Sequence, residues 1–383
     1  MRSVVVAKYV PWPPNSGDKR RTLGVVRALA ERGPVVVCAF AGDDEDAAGL
    51  AGEGVEVRAV PRRRSVRGLV AGLLRSRSLT SARFWDPALH RLVVEEAASA
   101  DVLVVEHVQL LPYARGTRAG TTALDMHNVE SSLTGRYARS QRGLRRAVLA
   151  AEARRLRALE ARSTEADLLA VVSEGDAALL RDVVTHPRVV VVPNAWDEPT
   201  PLPSAPDPVV SFVALLSWAP NVDAATWFTT AVWPLVRERV PGARLQLVGR
   251  NPAPAVQRLA GDDVEVTGTV PDLAPWYART RVAVAPLRSG GGSRLKILEA
   301  LAHARPVVAT AVGAEGLEDL VGRGVVVADD PAAMAAEVVA LLQDPRRAAE
   351  EGERGAAAVA ADHSWTAATK PLVDALPTAG APR

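Results

Sequence analysis

The chain alternates over most of its length between short runs of valine and leucine and longer stretches whose apolar residues recur every three or four positions. Residues 3–8 (SVVVAK), 35–40 (VVVCAF), 55–60 (VEVRAV), 100–107 (ADVLVVEH), 121–127 (TTALDMH), 166–174 (ADLLAVVSE) and 188–194 (RVVVVPN) form the first series of runs. Near-continuous apolar runs of this length predict strands buried on both faces. The stretch after the first run, residues 15–33 (NSGDKRRTLGVVRALAERG), predicts a helix closed by Gly33. Strands and helices in alternation imply a parallel sheet covered on both sides by helices.

The texture changes at residues 197–208 (DEPTPLPSAPDP), which are proline-rich and polar and read as a linker. The alternation then restarts. Apolar runs at 209–217, 243–250, 264–270, 281–287, 305–310 and 324–328 are separated by stretches of helical period, the longest at 221–240. The expected organisation is therefore a Rossmann-like domain over 1–196, a linker, a second Rossmann-like domain over 209–360, and a C-terminal helix and tail over 361–383. Asn194 and Asp197 fall at the junction and are expected to shape it rather than do chemistry.

Composition narrows the class. At 383 residues the chain exceeds what one ordinary core supports, and its 48% apolar content suffices for two. A net charge of only +2 argues against a dedicated nucleic-acid binder. Cys38 is the only cysteine, which excludes an intrachain disulfide and a thiolate metal cage. The N-terminal apolar run is too short for a signal peptide, and no run reaches transmembrane length. A soluble, cytoplasmic protein is expected.

The densest candidate chemistry lies in residues 286–310, PLRSGGGSRLKILEALAHARPVVAT. Gly290, Gly291 and Gly292 follow a predicted strand and lead through Ser293 into a helix carrying Arg294, Lys296 and Glu299. Among 46 basic residues only Lys8, Lys19, Lys296 and Lys370 are lysines, so Lys296 stands out. Glycines allow close backbone approach to an anion, and a helix N-terminus offers free N–H groups and partial positive charge. This is the construction of a diphosphate site. Lys296, Glu299 and His303 share one helical stripe, whereas Leu295, Leu298 and Leu301 form another that would pack on the sheet. Glu299 is then placed for two ribose hydroxyls. The plainer reading, a flexible turn before a surface helix with a Lys–Glu pair, fits the residues alone about equally well.

The second half resembles the donor-binding domain of GT-B glycosyltransferases, specifically the retaining glycosyltransferase family 4 and its group 1 relatives. LSWAPNVDAATWF, ARLQLVGR, VTGTVPDLAPWYARTRVAVAPL, GGGSRLKILEALAHARPVVAT and GAEGL occur in the family's order, as does VVPNAWD before the linker. PWPPNSGDKRR resembles the family's glycine-containing first loop, and DMHNVESS the segment with an active-site histidine. The resemblance implies a GT-B fold, two Rossmann-like domains facing each other across a cleft. It implies sugar transfer from a nucleotide-diphosphate sugar to an acceptor hydroxyl. The donor would be held by Gly17, Arg250, Gly290, Gly291, Gly292, Ser293, Arg294, Lys296, Leu298 and Glu299. His127 would hydrogen-bond the transferred sugar and, with Arg294, Lys296 and Glu299, form the catalytic set. Lys19, Arg21 and Glu130 would serve the acceptor. Of the two acids the family often carries across this helix, Glu299 matches the second, and Gly291 stands where the first is expected. That leaves the sugar undetermined.

Read without the resemblance, His127 is an ordinary structural histidine, Glu130 a first-turn acid, Arg250 a solvated loop arginine and Gly17 part of a helix start. No Asp-x-Asp follows a strand in the second half, so no metal and no cofactor beyond the co-substrate are expected; Arg294, Lys296 and the helix dipole would carry the leaving charge. The acceptor is a small molecule, a polysaccharide or a lipid-linked species. Arg62, Arg63, Arg64, Arg67, Arg75 and Arg77 beside Leu69, Leu73 and Leu74 could lie weakly on an anionic membrane, or solvate a helix face. A GT-B-fold nucleotide-sugar epimerase and a non-catalytic binding protein remain as alternatives.

Overall fold

The computed structural model describes residues 1–42, 47–50, 52–62, 65–139, 141–196, 200–289 and 295–377. The chain divides into two compact units, Met1–Asn194 with Trp365–Arg383, and Ala195–Ser364.

The first unit holds seven strands: β1 (Ser3–Val6), β2 (Val35–Ala41), β3 (Val55–Pro61), β4 (Val102–Glu106), β5 (Thr121–Met126), β6 (Leu168–Val171) and β7 (Val189–Val191). They lie in the order β3-β2-β1-β4-β5-β6-β7, with every pairing parallel. The central strands are buried throughout because helices cover both faces; β3, at an edge, is half-exposed. Val4, Leu103 and Leu124 pack into the core on one face, and Val5, Val104 and Ala123 into the core on the other. This is the period of two expected of a strand.

The helix Trp365–Ala375 belongs to this unit although the second unit precedes it in sequence. It lies on the helix Gly17–Ala30 and lends Leu372 to the same core as Val25, Val26 and Leu29. The contact depends on Gly24, where a Cβ would sit 2.3 Å from the Trp365 ring. Residues 361–364, read with the tail in the sequence, stay with the second unit, and residues 365–377 complete the first.

The second unit holds β8 (Val209–Val213), β9 (Arg244–Val248), β10 (Val264–Gly268), β11 (Val282–Ala285), β12 (Val307–Ala309) and β13 (Val325–Val327), all parallel, in the order β10-β9-β8-β11-β12-β13. In each sheet the first strand is central and the order reverses beside it, between β1 and β4 and between β8 and β11. Open sheets of this kind bind ligands beyond the strand ends at the reversal. The expected helix at 221–240 is interrupted: Ala219–Trp227 passes through a π turn, Phe228–Val232, into Trp233–Arg239. Pro234 lacks the N–H that an unbroken α-helix would use there.

The proline-rich segment is not a free tether. Leu202 N–H donates to the His303 carbonyl at 3.3 Å, Arg305 to that of Pro203 at 2.7 Å, and Arg281 to that of Ala205 at 3.1 Å. Two buried arginines thus fasten it to the second unit, and burial lowers the Arg305 pKa to about 10.

Candidate active site

In the second unit the site forms where the strand order reverses. β8 leads into the loop before the helix Ala219–Trp227, and β11 leads towards the helix Leu295–Ala302. Lys296 Nζ donates to Asn221 Oδ1 at 2.7 Å and lies 4.8 Å from the centre of the Phe212 ring. Asn221 is buried, and its amide nitrogen donates to the Leu215 carbonyl at 2.9 Å, which turns its oxygen towards Lys296. The lysine is therefore held over the end of β8.

Glu299, one turn on, accepts a long hydrogen bond of 3.4 Å from the Tyr277 hydroxyl, and the Tyr277 ring stacks on His303. Ile297, Leu298 and Leu301 are fully buried in the core. Leu298 thus packs as its stripe predicts, with its side chain in the core. Arg250 is half-buried just beyond β9. It follows Gly249, whose φ of 150° and closeness to Ala214 exclude any side chain there. Gly290, Gly291, Gly292, Ser293 and Arg294 lie outside the described residues, as do Arg63, Arg64 and Asp197.

The first unit carries a buried polar cluster at its own reversal point. The pairing of β4 with β5 sets Glu106 opposite Asp125, and His107 and His127 follow one and two residues later. His127 Nε2 lies 2.6 Å from Glu106 Oε2 and 3.6 Å from Asp125 Oδ2. The His107 ring lies against that of His127, with centroids 3.6 Å apart. Thr22 Oγ1 donates to Glu106 Oε2 at 3.1 Å. Burial governs the protonation of the group: it lifts Glu106 to about 7, lowers His127 to about 3, pushes His107 well below its usual range and raises Asp125.

Arg21 belongs to this cluster. Its Nε and Nη2 donate to the two Asp125 oxygens at 2.9 and 2.5 Å, and Nη1 donates to the Val192 carbonyl at 2.7 Å and to Asn194 Oδ1 at 3.2 Å. Only 1% of the side chain is exposed. The expected acceptor contact of Arg21 does not fit these surroundings; the guanidinium is spent inside the unit, holding Asp125. Lys19 is also buried, Gly17 opens the helix Gly17–Ala30 at an exposed position, and Glu130 opens the helix Glu130–Arg139 half-buried.

Glu106, Asp125 and His127 place ligand-type atoms within 4.8 Å of one another, a spacing that would suit a metal ion. Most of these atoms, however, are in use. Both Asp125 oxygens face Arg21, and Glu106 Oε2 faces His127 and Thr22. Arg21 already supplies the positive charge a metal would bring.

Sequence reasoning found His127 but not Glu106, His107, Asp125 or Lys8 as its surroundings. A signal existed: two neighbouring strands end in Glu-His and Asp-x-His, polar residues where an apolar run should simply stop.

Comparison with known proteins places the fold. Residues 207–344 match the family described as "Glycosyl transferases group 1". No curated protein matches the chain by sequence. Among solved structures, sucrose-phosphate synthase from Thermosynechococcus elongatus superposes with a TM-score of 0.71 at 18% identity over 98% of each chain. HepE of Anabaena, solved with UDP and glucose, gives 0.69 at 15% identity over 98% of this chain and 99% of its own. WaaG, a glycosyltransferase involved in lipopolysaccharide biosynthesis, gives 0.67 at 15% identity over 99% of this chain and 100% of its own. The fold is the GT-B fold, and the match to the glycosyltransferase group 1 family lies within the second unit.

Proposed function

We propose that the enzyme moves a sugar from a nucleotide-diphosphate sugar to an acceptor hydroxyl, with retention and without a metal. The observation that carries this reading is Lys296. Asn221 holds a scarce lysine beyond the end of β8, where the strand order reverses and anionic groups of a ligand are expected. A diphosphate leaving from the anomeric carbon gains charge in the transition state, and a fixed ammonium stabilises it there. Glu299 takes the ribose hydroxyls and His127 a hydroxyl of the transferred sugar. In a retaining reaction the departing phosphate accepts the acceptor's proton on the same face, so no protein nucleophile is needed.

The test is turnover of a nucleotide-sugar panel by wild type and Lys296→Ala. The variant should lose roughly a hundredfold or more in transfer, the size of effect seen for a lost oxyanion donor, with its melting unchanged. Near wild-type turnover would remove the clamp. The acids and histidines around Glu106 are the one feature that suits an epimerase instead, and the panel separates the two: an epimerised donor, with no sugar transferred or hydrolysed, would favour that alternative.

The acceptor side includes reversible contact with an anionic surface. The helix Val66–Ser76 packs inward through Gly68, Gly72 and Ser76; a Cβ on Gly72 would meet Ala82 at 2.7 Å. Its small residues being inside, Val66, Val70 and Leu74 face solvent, at 78%, 50% and 78% exposure, beside Arg67, Arg75 and Arg77. An exposed apolar ridge flanked by arginines suits an anionic bilayer, which supports a lipid-linked acceptor at a cytoplasmic membrane face. No helix among the described residues is long and apolar enough to cross a membrane.

A further inference from the structure

Glu106 is completely buried, and only one of its oxygens is used. Oε2 receives the Thr22 hydroxyl and faces His127 Nε2, whereas Oε1 has no partner. A buried carboxylate with half its capacity idle is costly, and the fold could have used a leucine there. Its neighbour Asp125 is fully engaged by Arg21, so Glu106 is the acid left to act on the histidine.

We propose that Glu106 is a positioning residue: its carboxylate accepts the Nε2–H of His127 and so fixes the ring tautomer that leaves Nδ1 as a hydrogen-bond acceptor for a hydroxyl of the transferred sugar. This rests on the transferase reading above. The geometry selects the tautomer. A hydrogen bond at one ring nitrogen decides which of the two carries the proton. Thr22 already points a donor at Oε2, so a carboxylate, not a carboxylic acid, best matches that oxygen. The tilted His107 ring, its centroid 3.6 Å away, covers one face of His127 and limits its rotation.

The consequence is electronic. Sugar transfer builds positive charge at the anomeric carbon. A sugar hydroxyl that donates to Nδ1 carries a more negative oxygen, which stabilises that charge; a hydroxyl that accepts from Nδ1–H does the reverse. When Glu106 gains a proton it donates to Nε2, the ring proton moves to Nδ1, and the interaction changes sign. Glu106 titrates near 7 because burial opposes its charge, which Lys8 and Arg21 support and Asp18 opposes. Asp125 favours a charged His127, whereas Arg21 and Lys8 disfavour one. With His107 held neutral and Glu130 acting on Lys8, these are the ionisable groups around the pair.

The tautomer can be read without substrate, from the imidazole nitrogen resonances of His127 in protein carrying 15N-histidine. At pH 8 to 9 the wild type should show Nε2 protonated and Nδ1 bare. Acidification through about 7 should move the proton to Nδ1 without charging the ring. Glu106→Leu, which removes the acceptor but keeps the bulk, should abolish the Nε2–H preference. Its kcat should fall at least roughly tenfold, with KM within about threefold, and the acidic limb of the wild-type profile should disappear; loss of the correct tautomer is severe in other histidine-dependent enzymes. A wild-type His127 protonated at Nδ1 at pH 8 to 9 overturns the proposal whether or not the protein transfers sugar. So does a Glu106→Leu variant with an unchanged pH profile and kcat. The expected tautomer in a protein that moves no sugar would instead reject the transferase reading and, with it, the role of Nδ1.

Discussion

Arg21 and Asp125, 104 residues apart, meet as a two-point ion pair of which 1% of either side chain is exposed. The pair joins the first helix to the end of β5 and holds Val192 and Asn194 through the remaining nitrogen. Breaking a buried pair from one side leaves an uncompensated charge, at about 3–5 kcal/mol. Arg21→Ala should therefore cost about that much in denaturant unfolding, whereas a surface pair such as Lys370–Asp374 should cost under about 1 kcal/mol. A loss below about 1 kcal/mol for Arg21→Ala would contradict the supporting role given to this pair.

Gly24 faces the Trp365 ring with no room for a methyl group. Gly24→Ala should raise intrinsic helix propensity yet destabilise the first unit by about 1–3 kcal/mol, as overpacking does. Trp365→Leu should relieve part of that loss. The measurement is a double-mutant cycle in urea, with strict additivity the outcome that counts against direct contact.

Glu160 is buried where the helix Gly143–Glu160 ends, and it accepts from the backbone N–H of Ser131 at 2.9 Å and from its hydroxyl. Burial raises its pKa from 4.5 to about 7. Between those values the folded state holds a proton that the unfolded state has released, so Glu160 makes stability fall as pH rises through that window. Glu106 and His127 largely cancel over much of the same range. Folded, Glu106 holds the proton and His127 none; unfolded, the reverse. Glu160→Gln should match wild type near pH 4 and exceed it above pH 7 by about 1–3 kcal/mol, at 1.36 kcal/mol per pK unit. Melting curves at the two pH values check the sign.

Activity should survive exhaustive EDTA treatment. In the trio Glu106, Asp125 and His127 both Asp125 oxygens are taken by Arg21 and one Glu106 oxygen by Thr22 and His127, and Arg21 supplies the local positive charge. Abolition by chelation, with recovery on adding magnesium or manganese, would show that a metal takes part.

Vesicle binding should follow the exposed ridge. Wild type should sediment with anionic but not neutral liposomes at low salt and release at high salt, because each basic residue near the surface is worth about 1 kcal/mol and salt screens it. Val70→Ser together with Leu74→Ser should weaken sedimentation without altering the melt, since both side chains face solvent. Equal absence from anionic and neutral pellets would favour a soluble acceptor.

The thirteen strands of the described residues were legible, most because parallel strands buried on both faces are continuous apolar runs and edge strands such as β3 by their alternation, and the linker region showed its prolines. The face of the Val66–Ser76 helix was legible only in part. Leu69, Leu73 and Leu74 read as the stripe beside the arginines, whereas Val66, Val70 and Leu74 are its most exposed apolar residues and Gly68 and Gly72 take the inside. Arg21 shows a second limit. In sequence it is one more cation near a loop; only the register of β5 brings Asp125 to it. Leu298 shows the reverse: its helical stripe predicted burial, and the side chain lies in the core.

Because the helix Trp365–Ala375 completes the first unit, that unit is discontinuous: the second is an insertion within it. During synthesis the ribosome makes seven strands, then the whole second unit, and only then the segment that supplies Leu372 and Leu376 to the first core. Until then Gly24 has no indole against it, and the first core lacks part of one wall. The second unit, whose chain is continuous, can mature on the ribosome before the first has all its parts.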